Sequence, residues 1–280
     1  MQDAMVCWRN WADSAVLSTT VDHTIVHALS LLQTRNMGEL CVMSGNTFEV
    51  RADLGRERRI DAVGLLGLEG QYTVSTGTGR LAVSGGVTIS NNADFSAPVY
   101  AQGWGYSEYP PFDNPLNGQL LLDAPVYARY VRLIAFEPTP AEIERGAARL
   151  WVGPGLRVKC DAGWSSGGRD TGQIGEAGGT EVTAAKGVIS RRLSLTFSGF
   201  TQLEAIGIDH AGEAVDVPNF EALKREAGTT GEVLIYPRTK SFAWLNRLGI
   251  HGRLEQVPNV QHKAGVYHAT GLTVLQEHAE

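Results

Sequence analysis

The segment from residue 128 to residue 153 constrains the fold of this chain more than any other. Its first residues alternate polar with apolar side chains and are rich in β-branched and aromatic types, which predicts a strand. Pro138 and Pro140 end that strand, because proline cannot donate a hydrogen bond to a β-ladder. A short helical turn then ends at Gly146, and residues 149–152 begin another strand. The segment is therefore interpreted as a domain junction.

Length and composition favour two domains of the mainly-β class. At 280 residues the chain exceeds the usual size of one hydrophobic core. The predicted division is a first domain at 1–137, with 1–40 as an irregular arm, a linker at 138–148 and a second domain at 149–280. The 33 glycines, with many Val, Thr and Ser residues, favour strands and turns over helices.

Composition also bears on partners and compartment. The chain has no run of 18 apolar residues and no visible secretory signal, so neither membrane insertion nor export is expected. Its three cysteines are odd in number and widely spaced, which favours reduced thiols and gives no zinc spacing. The net charge is −6, and residues 1–150 contain 11 Arg, no Lys and 16 acids. Nucleic acid is therefore an improbable partner.

The first domain shows a regular succession of strands. Residues 48–55 alternate and end in a turn, 56–59 form a charged corner, and 60–68 are almost wholly apolar, which predicts a central strand. Further strands at 72–74 and 87–90 continue a spacing that is typical of an antiparallel sandwich. His23 and His27 stand four residues apart, but the β-branched residues between them favour two ordinary histidines over metal ligands.

These motifs together resemble the discoidin, or coagulation factor 5/8 type C, family over about residues 40–137. The resemblance is carried by Asp53-Leu54-Gly55, by Ile60, Val63 and Leu65 in the next strand, and by Arg129-Tyr130-Val131-Arg132-Leu133. It implies an N-terminal jelly-roll β-sandwich of the galactose-binding-like class. One departure is that Cys7 and Cys41 do not offer the terminal disulfide of the stapled members. The fold therefore carries over more readily than sugar binding does.

Two loops of this domain are candidate contact sites, at residues 91–96 and 104–115. A jelly roll presents its ligands on loops held by a rigid sheet, and aromatic faces beside Asp and Asn side chains suit sugar recognition. The candidate contact residues are Trp104, Tyr106, Tyr109, Phe112, Asp113 and Asn114. Such a loop contacts either a glycan or a neighbouring subunit, and the enrichment of Tyr and Trp at interfaces favours the subunit.

The second half changes character after a strand at 156–160. Residues 163–179 contain seven glycines in 17 positions, which predicts a mobile hairpin or arm. Trp164, Arg169 and Ile174 in this assembly arm are expected to be ordered by partner subunits. A capping box from Thr201 to Glu204 opens a helix, and a second helix follows at 218–226. Further strands are predicted at 188–197, 233–236, 248–257 and 267–276.

That order of elements, with the paired Arg191-Arg192 and the Ile235-Tyr236 strand, resembles the tail-tube-like β-sandwich of siphophage minor tail and distal-tail proteins. The resemblance implies a structural protein of a phage tail tip or baseplate, located in the virion. Its partners would be other tail proteins, its assembled state a homo-oligomer or ring, and its N-terminal domain would contact either host-surface glycan or another tail subunit.

Functions of two other classes stay open. The alternative is a stand-alone carbohydrate-binding module, and a glycoside-active enzyme is third. Ser165 and Ser166 lack the nucleophile elbow of hydrolases, and Asp209, Glu213 and Asp216 lack the spacing of a calcium loop. The sequence therefore predicts no enzyme, no catalytic residue, no metal and no cofactor.

Overall fold

A computed structural model describes residues 2–19, 25, 27–44, 47–70, 81–108, 116–136, 144–170, 173–177, 181–185, 189–209, 211–213, 216–237, 239, 249–263 and 266–276. Its strands are β1 (Gln2–Cys7), β2 (Val16–Ser18), β3 (Cys41–Ser44), β4 (Thr47–Gly70), β5 (Leu81–Ser90), β6 (Pro98–Glu108), β7 (Leu116–Phe136), β8 (Glu144–Ala147), β9 (Arg149–Gly153), β10 (Leu156–Asp170), β11 (Gln173–Ala177), β12 (Glu181–Ala185), β13 (Ile189–Phe200), β14 (Glu232–Tyr236), β15 (Ile250–Leu254), β16 (Asn259–Lys263) and β17 (Val266–Gln276). The α-helices are α1 (Gln202–Ile206) and α2 (Phe220–Glu226), and 3₁₀ helices span Trp11–Ser14 and Leu29–Gln33.

The predicted mainly-β fold class is confirmed. Each ladder between these strands is antiparallel, and the two α-helices are short. Within the described ranges no helix has both the length and the apolar character needed to cross a membrane.

The chain divides into two compact units. The first, here called the insert unit, consists mainly of Arg9–Gly155. The second, the flanking unit, consists of Met1–Trp8, Leu156–Arg238 and Leu248–His278. In chain order the insert unit therefore interrupts the flanking unit between β1 and β10.

This division differs from the predicted boundaries at both ends of the insert unit. β8 and β9, expected in the linker and the second domain, pair with β3 and β4 of the insert unit. All five residues of β9 are buried, and its pairing with β4 places it in the insert unit. Gly146, expected to end a helical turn, lies within β8, and residues 137–143 lie outside the described ranges.

β1 corrects the prediction of an irregular N-terminal arm. It pairs with β10 on one side and β14 on the other, inside the flanking unit. Ala4, Met5 and Val6 are fully buried there. β10 pairs with Gln2–Val6 and β14 with Met5–Cys7, and this pairing on both edges makes the six residues a central strand.

The sheet of the insert unit is organised around β4. Its strand order is β3-β8-β4-β7-β5-β6, with β2 and β9 also paired to β4. β4 pairs with β7 along most of its length, and residues 60–67, predicted as a central strand, are all buried. Ile60, Val63 and Leu65 of this stretch join a core that also draws on β3, β5, β7, β8 and β9. The predicted strand at 87–90 lies in β5, whereas the one at 72–74 lies outside the described residues.

The predicted charged corner at 56–59 is a bulge inside one long strand. The register between β4 and β7 shifts between Asp53 and Arg58. Gly55 has a φ of +75°, a conformation that glycine adopts without steric cost, and its N–H donates to Oδ1 of Asp53 at 2.8 Å. The bulge admits extra residues without ending the strand, so two predicted strands are one.

The start of the insert unit is fixed by one asparagine and one ion pair. Asn10 Nδ2 donates to the carbonyl of Leu150, and its Oδ1 accepts from the backbone N–H groups of Ala12 and Val152. Arg149 is fully buried, with its Nη1 2.7 Å from Oδ1 of Asp13. These contacts tie the first 3₁₀ helix to β9.

The sheet of the flanking unit closes on itself. Its order is β13-β10-β1-β14-β15-β17-β16, and β13 also pairs with β17. The predicted capping box is confirmed, since Thr201 accepts from the Glu204 N–H while Glu204 accepts from the Thr201 N–H. In α2, Phe220 packs against Phe197 and Phe200 of β13, with ring centroids 5.7 and 4.6 Å apart.

The glycine-rich segment forms regular ladders. β10 continues to Asp170 and pairs with β13, and β11 pairs with β12 in a separate two-stranded sheet. Of the two predicted forms, hairpin or arm, the hairpin agrees with these ladders. Antiparallel pairing supplies the backbone hydrogen bonds that the glycine content by itself does not predict.

Candidate functional site

The solvent side of the insert unit's sheet carries a cluster of arginine and aromatic side chains. In β4, β7 and β5, Arg51, Arg132 and Thr88 lie side by side in one row across three strands. Alternate residues of the same strands, such as Ala52 and Val131, point into the core, because successive side chains of a strand face opposite ways. The next outward row contains Asp53 and Tyr130. Arg51, Asp53, Phe95, Arg129, Tyr130 and Arg132 are here called the arginine face.

Asp53 and Arg129 form a two-point ion pair on this face. The Nε and Nη2 atoms of Arg129 donate to the two carboxylate oxygens of Asp53 at 2.7 and 2.8 Å. The hydrogen bonds from Arg129, followed by the one from the Gly55 N–H, hold the pKa of the Asp53 carboxyl below its ordinary value. This pair joins the Asp-Leu-Gly motif to the Arg-Tyr-Val-Arg-Leu strand, the two motifs that the sequence separates by 76 positions.

The loop between β5 and β6, residues 91–97, is braced against the sheet. Asn91 accepts a hydrogen bond from the backbone N–H of Arg129 at 3.1 Å. Within the loop, Asp94 accepts from both the N–H and the hydroxyl of Ser96, at 3.0 and 2.8 Å. A loop held by its own side chains and by the sheet presents its residues in a fixed position, as a binding loop requires.

Phe95 lies at the centre of the arginine face and has an unusual backbone conformation. Its φ is +57°, in the left-handed region that bulky residues rarely adopt, and it is the only non-glycine residue with positive φ among the described residues. Its ring lies edge-on to Tyr130, with centroids 6.5 Å apart. The guanidinium carbons of Arg51 and Arg132 are 5.7 and 5.3 Å from the ring centroid. These contacts offset the cost of the backbone conformation.

The two arginines beside Phe95 differ in their partners. Nε of Arg51 donates to Oε1 of Glu49 at 2.8 Å. Arg132 reaches only Oγ1 of Thr88, with its Nη2 at 3.5 Å, and its buried Nε has no hydrogen-bond partner in the described part of the chain. A hydrogen bond of 3.5 Å is at the outer limit of such contacts, so the donors of Arg132 are largely unused by the residues that the structure describes.

This arrangement can bind a polar ligand through several kinds of group at once. Guanidinium groups offer N–H donors in a planar fork, and the carboxylates and Asn91 offer acceptors. The half-buried Tyr130 adds apolar ring surface beside them, while the buried ring of Phe95 supports the guanidinium groups from below. The rigid sheet fixes the spacing of all of these groups.

The sequence-predicted contact residues fall partly outside the described ranges. Trp104 and Tyr106 lie on β6, opposite Gly85 and Val83 of β5. Tyr109, Phe112, Asp113 and Asn114 are not among the described residues.

The residues of the predicted assembly arm lie on paired strands. Trp164 is opposite Leu195, Arg169 opposite Ser190, and Ile174 opposite Ala184.

The described residues contain no group of three or more His, Cys, Asp or Glu side chains that could hold a metal ion. His27 is exposed, whereas His23 lies outside the described ranges.

The 91–96 loop, which contains Phe95, is one of the two loops that the sequence predicts as contact sites, but sequence reasoning did not assign a contact role to Arg51 or Arg132. Arg51 and Asp53 are two residues apart, as are Tyr130 and Arg132, which places each pair on one side of its strand. That spacing is the available signal. The register between β4 and β7, which brings the pairs together, is not readable from it.

Comparisons with known proteins found likenesses among solved structures. No family model matches the chain, and no curated protein matches it. The lectin domain of lectinolysin complexed with Lewis B antigen is 16% identical, with 51% of this chain and 95% of that chain covered and a TM-score of 0.35.

Two further solved structures are modules named for carbohydrate binding. Chitosan-binding module 1 of a chitosanase/glucanase from Paenibacillus sp. IK-5 is 14% identical, covering 51% of this chain and 98% of that chain, with a TM-score of 0.35. The family 32 carbohydrate-binding module of C. perfringens NanJ in complex with galactose is 14% identical, covering 52% and 98%, with a TM-score of 0.35. At these TM-scores the likeness carries no argument about what this chain binds.

Proposed function

We propose that the insert unit is a carbohydrate-binding module that holds its ligand on the arginine face. The observation that carries this proposal is the convergence of donors, acceptors and aromatic rings from β4, β7 and the 91–97 loop on one solvent side of a rigid sheet. A saccharide needs such a mixture, because its hydroxyls are hydrogen-bonded while its C–H faces contact rings.

The strain at Phe95 supports the same proposal. A left-handed conformation at a bulky residue costs on the order of 1–3 kcal/mol and persists where the surroundings over-determine it. Arg51, Arg132 and Tyr130 supply that determination. Strained residues cluster at ligand-binding sites, where the rigid geometry is part of recognition.

Binding of saccharides by the full chain tests the proposal. Glycan-array binding is measured for the wild type, for Tyr130→Ala and for the control Tyr127→Ala. Tyr127 is on the same strand, is 54% exposed and is outside the arginine face. We expect Tyr130→Ala to weaken binding about three- to tenfold, as the loss of one aromatic contact would, and Tyr127→Ala to bind like the wild type. Absence of any saccharide binding by the wild type would refute the proposal.

The aromatic loop that begins on β6 is proposed as a second contact region. Trp104→Ala combined with Tyr106→Ala is expected to reduce glycan binding without a change in melting temperature. Equal binding by the double variant and the wild type would limit the site to the arginine face.

A structural role in a phage tail is the second candidate function. It is supported by the flanking unit's closed antiparallel sheet with two short helices, which keeps the order of elements on which the resemblance to tail-tube-like domains rests. Electron microscopy of the purified full chain tests this role, since a ring or a filament supports it and a uniform monomer opposes it.

A further inference from the structure

Two arginines stand directly opposite each other at the centre of the arginine face. Arg51 and Arg132 are paired across β4 and β7, and both guanidinium groups lie against the ring of Phe95. Like charges directly opposite on neighbouring strands repel each other. The sheet therefore has a local concentration of positive charge that a bound anion would stabilise.

The carboxylates on and beside the arginine face compensate only part of this charge. Glu49 is bound to Arg51, and Asp53 is bound to Arg129. Asp94 is turned towards Ser96 within the loop. Arg132 has no carboxylate partner among the described residues, and its contacts are the face of Phe95 and the distant hydroxyl of Thr88. Within the described ranges, the half-buried guanidinium of Arg132 is thus left without an anionic partner.

We infer that the ligand of the arginine face is an acidic saccharide whose carboxylate or sulfate group binds the guanidinium of Arg132. This inference rests on the proposed function. A planar guanidinium accommodates two oxygen atoms of such a group, and the resulting charge-assisted hydrogen bonds are among the stronger polar contacts in proteins. The anion also relieves the repulsion between Arg132 and Arg51.

The net charge of the chain makes this site distinct from general electrostatic attraction. At −6 the whole protein repels a polyanion, so binding of an acidic polymer requires a local cationic site. Arg132 lies on the arginine face, whereas Arg56 is exposed at the bulge of β4 in the same unit and outside that face. Removing either residue changes the net charge by the same amount.

Affinity measurements with three polymers test the inference. Polygalacturonate carries carboxylates, dextran sulfate carries sulfates, and neutral galactan carries neither. The full-length wild type is compared with Arg132→Gln, Arg132→Lys and the control Arg56→Gln, after melting temperatures have shown that each variant is folded. We expect the wild type to prefer at least one acidic polymer over galactan, and Arg132→Gln to lose about tenfold or more in affinity for it. Arg132→Lys retains the charge and is expected to keep more of that affinity than Arg132→Gln.

The outcomes separate the inference from the function on which it rests. Loss of acidic-polymer binding in Arg132→Gln but not in Arg56→Gln supports the inference, and the preferred acidic polymer identifies carboxylate or sulfate. Equal losses in the two glutamine variants would indicate unspecific charge attraction and overturn it. Binding of galactan as strong as that of the acidic polymers, unaffected by Arg132→Gln, overturns the inference and leaves the proposed function standing. Binding of no polymer, with no binding on the glycan array, contradicts both. If Arg132→Gln fails to fold, Arg132→Lys decides alone through the salt dependence of its remaining affinity, which must match the wild type if charge is recognised.

Discussion

The buried ion pair of Asp13 and Arg149 provides a quantitative test of how the insert unit is held together. Arg149 is completely buried, whereas the Asp13 side chain is 39% exposed, and their nearest atoms are 2.7 Å apart. Removing one partner of a buried pair leaves an uncompensated charge and costs about 3–5 kcal/mol. Because water can reach the position of Asp13, we expect Asp13→Ala to lower the free energy of unfolding by about 2–3 kcal/mol, below that range.

The companion variant removes the charge itself. Arg149→Met combined with Asp13→Ala replaces the guanidinium by an apolar side chain of similar length, and such replacements of buried pairs are often neutral. The double variant should therefore be more stable than Asp13→Ala by at least about 1 kcal/mol. This reversal distinguishes an uncompensated charge from a simple loss of packing.

Urea-dependent hydrogen exchange is the appropriate assay, because amides in β4 and β9 report the stability of the insert unit alone. The reasoning is refuted if Asp13→Ala differs from the wild type by less than about 0.5 kcal/mol. It is refuted equally if the double variant is no more stable than Asp13→Ala.

Three further predictions concern single residues. Asp53→Asn should lower the melting temperature at pH 6, and the two proteins should converge as the pH falls from about 5 towards 2. The pKa of the Asp53 carboxyl is lowered in the folded protein, so its ionised form stabilises the fold at pH values above the pKa of the unfolded chain. Protonation of the folded protein removes this stabilisation as the pH falls. A difference in melting temperature that stays constant with pH would contradict the ion pair. Gly252→Ala should cost about 3 kcal/mol, since the added Cβ would lie 1.8 Å from the carbonyl oxygen of Leu275, whereas Gly167→Ala has open space and should unfold like the wild type in urea. Burial raises the pKa of Cys41 to about 11, so its thiol should remain unlabelled by a disulfide reagent at pH 8 until the protein unfolds. Rapid labelling of Cys41 in the native protein would contradict the burial of this side chain.

Local sequence signals predicted several elements of this fold well. The apolar run at 60–68 predicted a buried strand that lies in the second half of β4, and the pattern from Thr201 to Glu204 predicted the start of α1. Asn219 caps α2, whose end at Glu226 agrees with the predicted one. Each of these features depends on residues within one turn or one strand, so a short window contains the necessary information.

Long-range pairings account for what could not be predicted. β1 belongs to the flanking unit because β10 and β14, more than 140 positions away, pair with it. The limit of the insert unit at Gly155 depends on the pairing of β9 with β4. A prolyl stop and a change of composition mark a break in one strand, but they do not show which sheet the next strand joins.

The candidate site also depends on long-range strand pairing, which a short sequence window does not show. Arg51 and Arg132 are 81 positions apart in the sequence and meet through the register of β4 and β7, and Phe95 reaches them from a loop between two other strands. The sequence directed attention to the loops at 91–96 and 104–115, and the first of these contains Phe95, but it named contact residues only in the second, where aromatic side chains are dense. A single buried Phe between two arginines has no comparable compositional signal.

Nuclear magnetic resonance of the isotope-labelled full chain tests the central claim most directly, because it locates a ligand without any substitution. Amide shifts are followed during titration with galacturonate oligosaccharides and, in parallel, with neutral galacto-oligosaccharides. Binding at the arginine face predicts saturable shift changes at residues 51–53, 88–97 and 129–132 with at least one of the two ligands. Saturable changes elsewhere in the chain with these residues unaffected, or no saturable change with either ligand, would contradict it.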